Sequence, residues 1–121
     1  MNWEPLSETE VWDEINSSYE RMSLEEKNLW EAIKIIPEKW QEISYGKEGG
    51  GFWVVALIGS TVVWYNDIEE GFNRSKYHQY GIIDEYWCNQ DNLEWAVQHI
   101  INEIKEGYPS GGKAGPPEPI A

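Results

Sequence analysis

The apolar positions of this chain change their spacing several times, and each change marks an element. Val11, Trp12, Ile15, Tyr19 and Met22 recur at helical intervals. Ahead of them, Ser7 and Glu10 have the Ser-x-x-Glu spacing in which each side chain satisfies a free amide of the other. A first helix is therefore expected over residues 8–21. Ser23 and Glu26 repeat the start signal. Leu29, Trp30, Ile33 and Ile36 then form a second helical stripe, which should end at Pro37 because the residue before proline disfavours helix.

The period next falls to two. Trp40–Tyr45 reads as a short strand with Ile43 and Tyr45 on one side. Gly46 and the run Gly49-Gly50-Gly51 break it and read as a hairpin loop. A phosphate cradle is the sharper alternative, but the spacing matches no phosphate-loop motif and no helix follows. Phe52–Ile58 and Thr61–Asn66 are rich in β-branched and aromatic residues and flank Gly59-Ser60, a good two-residue hairpin turn. Both strands are apolar on both faces, which predicts a central place in the sheet. Asp67–Gly71 reads as an acidic turn and Phe72–Tyr80 as a partly extended loop. Ile82–Cys88 alternates like a last strand, with one sheet face left partly open.

Asp91, with Glu94 three residues on, is expected to cap a final helix. Leu93, Ala96, Val97, Ile100, Ile101 and Ile104 give it an apolar stripe, and Gly107 and Pro109 its stop. Trp95 and His99 fall away from that stripe, and Trp95 is expected to pack under the N-terminal segment or the tail. Residues 107–121 hold four glycines and four prolines without an apolar period, so a mobile tail is expected there. The reading is an α+β fold: two N-terminal helices, a three- or four-stranded antiparallel meander and a C-terminal helix packed on it. Residues 1–106 form the single domain.

Charge changes the picture of what such a domain meets. The chain has 121 residues and a net charge of −13, from 22 acids and 9 bases. That balance repels phosphate backbones and anionic membrane surfaces, and it attracts basic proteins. Neither nucleic acid nor a membrane is expected as a partner. A single cysteine, Cys88, excludes an internal disulfide and fits a reducing compartment. The start of the sequence carries no secretion signal, and the longest apolar run, Phe52–Ile58, is too short to span a bilayer. Cytoplasmic location is expected.

The acids are unevenly spread. Residues 1–31 carry nine acids against two bases, and residues 65–94 carry seven against two. Trp64–Phe72 combines paired carboxylates with aromatics, a mix suited to Lys or Arg of a partner. The expected contact residues are Tyr65, Asp67, Glu69, Glu70, Tyr77, Tyr80, Asp84, Glu85 and Tyr86. In size, acidity and aromatic content, though not in any motif, the chain is similar to bacterial immunity proteins that neutralise toxin nucleases. That likeness implies a small acidic inhibitor, antitoxin-like, of a basic partner protein. No catalytic motif, cofactor or metal site is expected. Two alternatives remain: a carboxylate-based metal-dependent enzyme using Asp67, Glu69, Glu70 and His78, and a homodimeric accessory protein pairing through an open sheet face. A Cys88–His78 nucleophile pair has no supporting spacing.

Overall fold

The computed structural model describes residues 3–47, 49–107 and 113–116. Its order is α1 (Glu8–Arg21), α2 (Leu24–Ile33), β1 (Lys34–Trp40), β2 (Phe52–Ile58), β3 (Thr61–Asn66), β4 (Gly71–Lys76) and α3 (Leu93–Glu106). The four strands form one antiparallel meander in the order β1-β2-β3-β4. This is the expected α+β fold, with β2 and β3 in the centre.

Both helix starts follow from the local sequence. Ser7 Oγ accepts from the Glu10 amide while Glu10 returns a bond to the Ser7 amide, and Ser23 with Glu26 does the same. Only Met22 and Ser23 separate the two helices. The start of α3 differs from expectation. Asn92, not Asp91, occupies the cap position, and no side chain caps it. Its end is the expected one, with Gly107 in the left-handed conformation at φ 78°.

Three other segments depart from the sequence reading. The second helix stops at Ile33, and Ile35, Ile36 and Pro37 belong to β1. Two β-branched residues before a proline favour extended backbone. Pro37 sits on an edge strand in an irregular stretch where Lys34–Glu38 spans only Ala56–Val54 of β2. An edge is where a missing ladder donor costs least. The strand expected at Trp40–Tyr45 ends at Trp40, and the chain then turns, with the buried Glu42 carboxylate accepting the Tyr45 and Gly46 amides. Ile43 is left 89% exposed.

The segment read as a loop after Phe72 contains β4, whereas Ile82–Cys88 is not a strand. Asn73, Arg74 and Ser75 hid β4 because they are polar yet buried. Each is satisfied by a remote partner, which permits burial. Asn73 bonds the Asn89 backbone, Arg74 pairs with Glu103 of α3, and Ser75 joins Trp64 Nε1 to the Glu85 carbonyl.

The sheet has two covered faces. On one, Val55, Val63, Tyr65 and Phe72 pack with Val11 and Ile15 of α1, Trp30 and Ile33 of α2, and Val97 and Ile100 of α3. On the other, Trp40, Phe52, Val54, Val62 and Trp64 pack under Ile83, with Tyr77 and Tyr86 alongside. The segment from Tyr77 to Cys88 therefore roofs the face expected to be open. This removes the sheet-face surface on which the homodimer reading stood. Residues 108–112 and 117–121 of the tail lie outside the described residues. Within Lys113–Pro116, Ala114 bonds the backbone of Cys88 and the side chain of Asn89. No helix among the described residues is long and apolar enough to cross a membrane.

Candidate functional site

The nine residues expected to form one surface fall into two groups, one in the roof over the second core and one where β3 turns into β4. Tyr77 packs edge-on against Trp40 at 5.1 Å, and its hydroxyl donates to the Gly59 carbonyl. Tyr80 leans on the same indole, exposed, with its hydroxyl donating to Glu38. Tyr86 lies against Tyr45, Phe52 and Trp64, and burial pushes its hydroxyl pKa up to about 12. Asp84 pairs with His78. Glu85 accepts the Lys76 amide at 2.9 Å and the Trp87 indole N–H at 3.3 Å. These five serve the roof over the second core, and Tyr77, Tyr80, Asp84 and Glu85 spend their polar groups on the fold.

Tyr65, Asp67, Glu69 and Glu70 lie at the other group's location, where β3 turns into β4. Asn66 builds this turn. Its Oδ1 accepts the Ile68 and Glu69 amides, and its amide donates to the Trp87 carbonyl. Glu70 then takes a left-handed backbone, φ 59°, the only non-glycine among the described residues to do so. Such a conformation strains an ordinary side chain by about 1 kcal/mol and is held only by its surroundings. Gly71 supplies that hold. A Cβ added there would stand 2.3 Å from Gln90 Cα, so β4 begins in direct contact with the segment leading to α3. The Phe72 amide donates to the Asp91 carbonyl at 2.8 Å, and Gln90 Nε2 donates to the Glu69 carbonyl at 3.0 Å.

Two further ties bring α1 to the same place. The Leu6 amide donates to Asp67 Oδ2 at 2.8 Å, Trp3 Nε1 donates to the Asp67 carbonyl, and Trp53 Nε1 donates to the Leu6 carbonyl at 2.7 Å. The chain ahead of α1 is thus strapped across β2 and the turn. At the far end of α1, Arg21 makes two bonds to Glu94 in the first turn of α3. Burial pushes the Glu94 carboxyl up, but the bonds from Arg21, its own amide and Ser18 outweigh this and hold it below the usual carboxylate range.

Between these elements lies a cleft of about 300 Å³ lined by Leu6, Glu14, Tyr65, Glu70, Gly71, Phe72, Asp91 and Asn92. Glu14 comes from the first acidic stretch of the sequence, and Glu70 and Asp91 from the second. Glu14 and Glu70 are exposed and Asp91 is half-buried. Tyr65 stands edge-on to Phe72, centroids 4.9 Å apart, and is 6% exposed. Its hydroxyl pKa is pushed up to about 12, first by burial and then by the charges of Glu14, Glu70, Asp67 and Glu10. The hydroxyl therefore stays protonated at neutral pH, within a negative field.

Asp67, although named as a contact residue, is 7% exposed beneath the strap. Desolvation raises its pKa, against the Leu6 amide and the Lys39 charge. Lys39 is itself shifted down by desolvation; its ammonium donates to the Gly49 and Gly51 carbonyls and lies over the Trp53 ring. These groups hold the strap and the glycine loop together. A larger cleft of about 470 Å³, lined by Gln41–Ile43, Gly46, Lys47, Gly50 and Gly51, belongs to that loop. The Glu42 carboxylate in it already bonds its own turn.

Among the described residues, no three His, Cys, Asp or Glu side chains come close enough to hold a metal ion. Asp67, Glu69, Glu70 and His78 do not converge, since His78 sits with Asp84. Cys88 neighbours Tyr86, and desolvation raises its pKa, the reverse of an activated thiol. Trp95 is 57% exposed rather than covered, with His99 one turn on at 6.4 Å. The sequence reading missed Glu14 and Asp91 as site residues. Their signal was the concentration of acids in two stretches, which says nothing by itself about where the stretches meet. Comparisons of the chain with protein-family models, curated proteins and solved structures return no match.

Proposed function

We propose that this protein is an acidic binding module for a basic partner protein, acting as a small inhibitor of the immunity or antitoxin type. The observation that carries the reading is the meeting of Glu14, Glu70 and Asp91 in one cleft. Acids from distant parts of the sequence line one concave site there, and the walls of such a site concentrate the field of its charges. The net charge of −13 extends that field over the molecule and favours rapid encounter with a cation-rich surface. No cluster able to hold a metal supports the enzyme alternative among the described residues.

The test is kinetic. The protein, immobilised, is used to recover its partner from the cells that make it, and the association rate is then measured from low to high salt. A steered complex loses association rate at least tenfold as the Debye length falls from about 30 to about 3 Å, with a smaller change in dissociation. An association rate indifferent to salt, or a partner without a basic surface, would falsify the proposal.

A further inference from the structure

The strap ahead of α1 buries little of itself. Trp3, Glu4 and Pro5 are exposed and Leu6 is half-buried. Its hold is by hydrogen bonds: Trp3 Nε1 donates to the Asp67 carbonyl at 3.1 Å, the Leu6 amide to Asp67 Oδ2 at 2.8 Å, and Trp53 Nε1 to the Leu6 carbonyl at 2.7 Å. Two of these bonds end on Asp67, so this residue governs whether the strap lies down.

Only one oxygen of the Asp67 carboxyl is used. Oδ1 is buried and has no hydrogen-bond partner among the described residues, although Asp67 as a whole is 7% exposed. Buried polar atoms are nearly always paired, and an unpaired one costs far more charged than neutral. The surroundings do little to hold a charge there. Lys39 of β1 acts on Asp67 through its charge, but its ammonium is held by the Gly49 and Gly51 carbonyls. β2 contributes the neutral Trp53. Glu10 and Glu14 of α1 and Glu70 of the turn, which share with Asp67 the surroundings of Tyr65 on β3, are all acidic, and Glu4 of the strap itself is exposed.

We propose that residues 3–6 are a proton-controlled strap, latched down over neutral Asp67 and loosened when that carboxyl ionises. With the strap closed, ionisation leaves Oδ1 charged and dry. Lifting the strap hydrates it, at the cost of the bonds to Leu6 and Trp3. The closed strap therefore holds the proton more tightly than the open one, in which the carboxyl returns to its ordinary 3.8. Closure has its full strength below that value and weakens as pH rises through the raised one. Leu6 also lines the cleft with Glu14, Tyr65 and Glu70, so release of the strap takes away one wall of that cleft. The device stands on the strap's own bonds and does not depend on the chemistry of the partner.

The test is amide hydrogen exchange in the 15N-labelled full chain from about pH 3 to about pH 7, corrected for the intrinsic pH dependence of exchange. The Leu6 amide reports the strap, and Val63, fully buried in β3, reports global unfolding. The expected result is that Leu6 exchanges faster than Val63 throughout, so that the strap opens on its own. Its protection should fall as pH rises, by about tenfold for each pH unit that separates the raised titration of Asp67 from the ordinary one. Asp67→Asn keeps an acceptor for the Leu6 amide and cannot ionise, so its Leu6 protection should be flat over the same range while every other acid titrates as before. Trp53→Phe removes the donor to the Leu6 carbonyl, and should lower Leu6 protection several-fold at every pH with the wild-type midpoint retained. Leu6 protected as strongly as Val63, wild-type protection that is constant or rises with pH, or the same pH dependence in Asp67→Asn would each overturn the latch. So would Leu6 exchange that Trp53→Phe leaves unchanged.

Discussion

At the scale of single residues, the fold turns on polar groups placed where apolar ones would be simpler. Trp64 is fully buried, and its indole N–H reaches Ser75 Oγ at 2.8 Å, which in turn donates to the Glu85 carbonyl at 2.7 Å. Ser75→Ala leaves both ends unpaired in a dry core, and the expected loss is about 1–3 kcal/mol by urea unfolding. Asp67 acts in the opposite sense. Its folded pKa lies above the ordinary 3.8, chiefly through desolvation. Protonated in both states at low pH, it contributes nothing; as pH rises through the raised value, its ionised form opposes folding. Asp67→Asn keeps an oxygen for the Leu6 amide, so the variant should be at least as stable as the wild type at pH 7. Its advantage should vanish when unfolding is repeated below pH 3.8. An equal advantage at both pH values would mean that ionisation is not the cause. None of this was legible in the sequence, because β3 is apolar on both faces and nothing local says which core Trp64 or Tyr65 enters.

At the scale of elements, legibility followed locality. Both capping boxes, the 52–66 hairpin and the end of α3 could be read because the deciding residues are near neighbours in sequence. Ser7→Ala and Ser23→Ala are each expected to cost about 1 kcal/mol, measured by the shift of the urea midpoint at constant slope. β4 and the roof were missed because distant partners decide them. Arg74 is acceptable in a strand because Glu103 of α3 meets it, and Ile82–Cys88 fails as a strand because Ile83 and Tyr86 are drawn across the sheet face. The same non-locality hid the cleft: Glu14 was legible as an outward acid of α1, but its neighbours Glu70 and Asp91 arrive through the Gly71 contact with Gln90. A side chain at Gly71 would collide with that backbone. Gly71→Ala should therefore shift the amide resonances of Glu70 and Asp91 together and destabilise the fold.

At the scale of the whole molecule, the surfaces through which sheets usually associate are closed. Both faces are covered, β1 carries Pro37 and an irregular register at its edge, and β4 is lined by the 84–91 segment. Prolines and irregularities of this kind keep an edge from pairing with another chain. What remains distinctive outside is charge, and the account places its focus in the cleft rather than in the total. The decisive measurement compares association rates with the recovered basic partner for two triple variants of equal net charge. One is Glu14→Gln, Glu70→Gln and Asp91→Asn in the cleft; the other is Glu20→Gln, Glu25→Gln and Glu106→Gln, which neutralises acids of the helices that do not line it. The account predicts that the cleft variant loses most of the affinity and much of the salt-sensitive rate, while the second loses only the modest share due to net charge. Equal effects of the two variants, or none from the first, would contradict it.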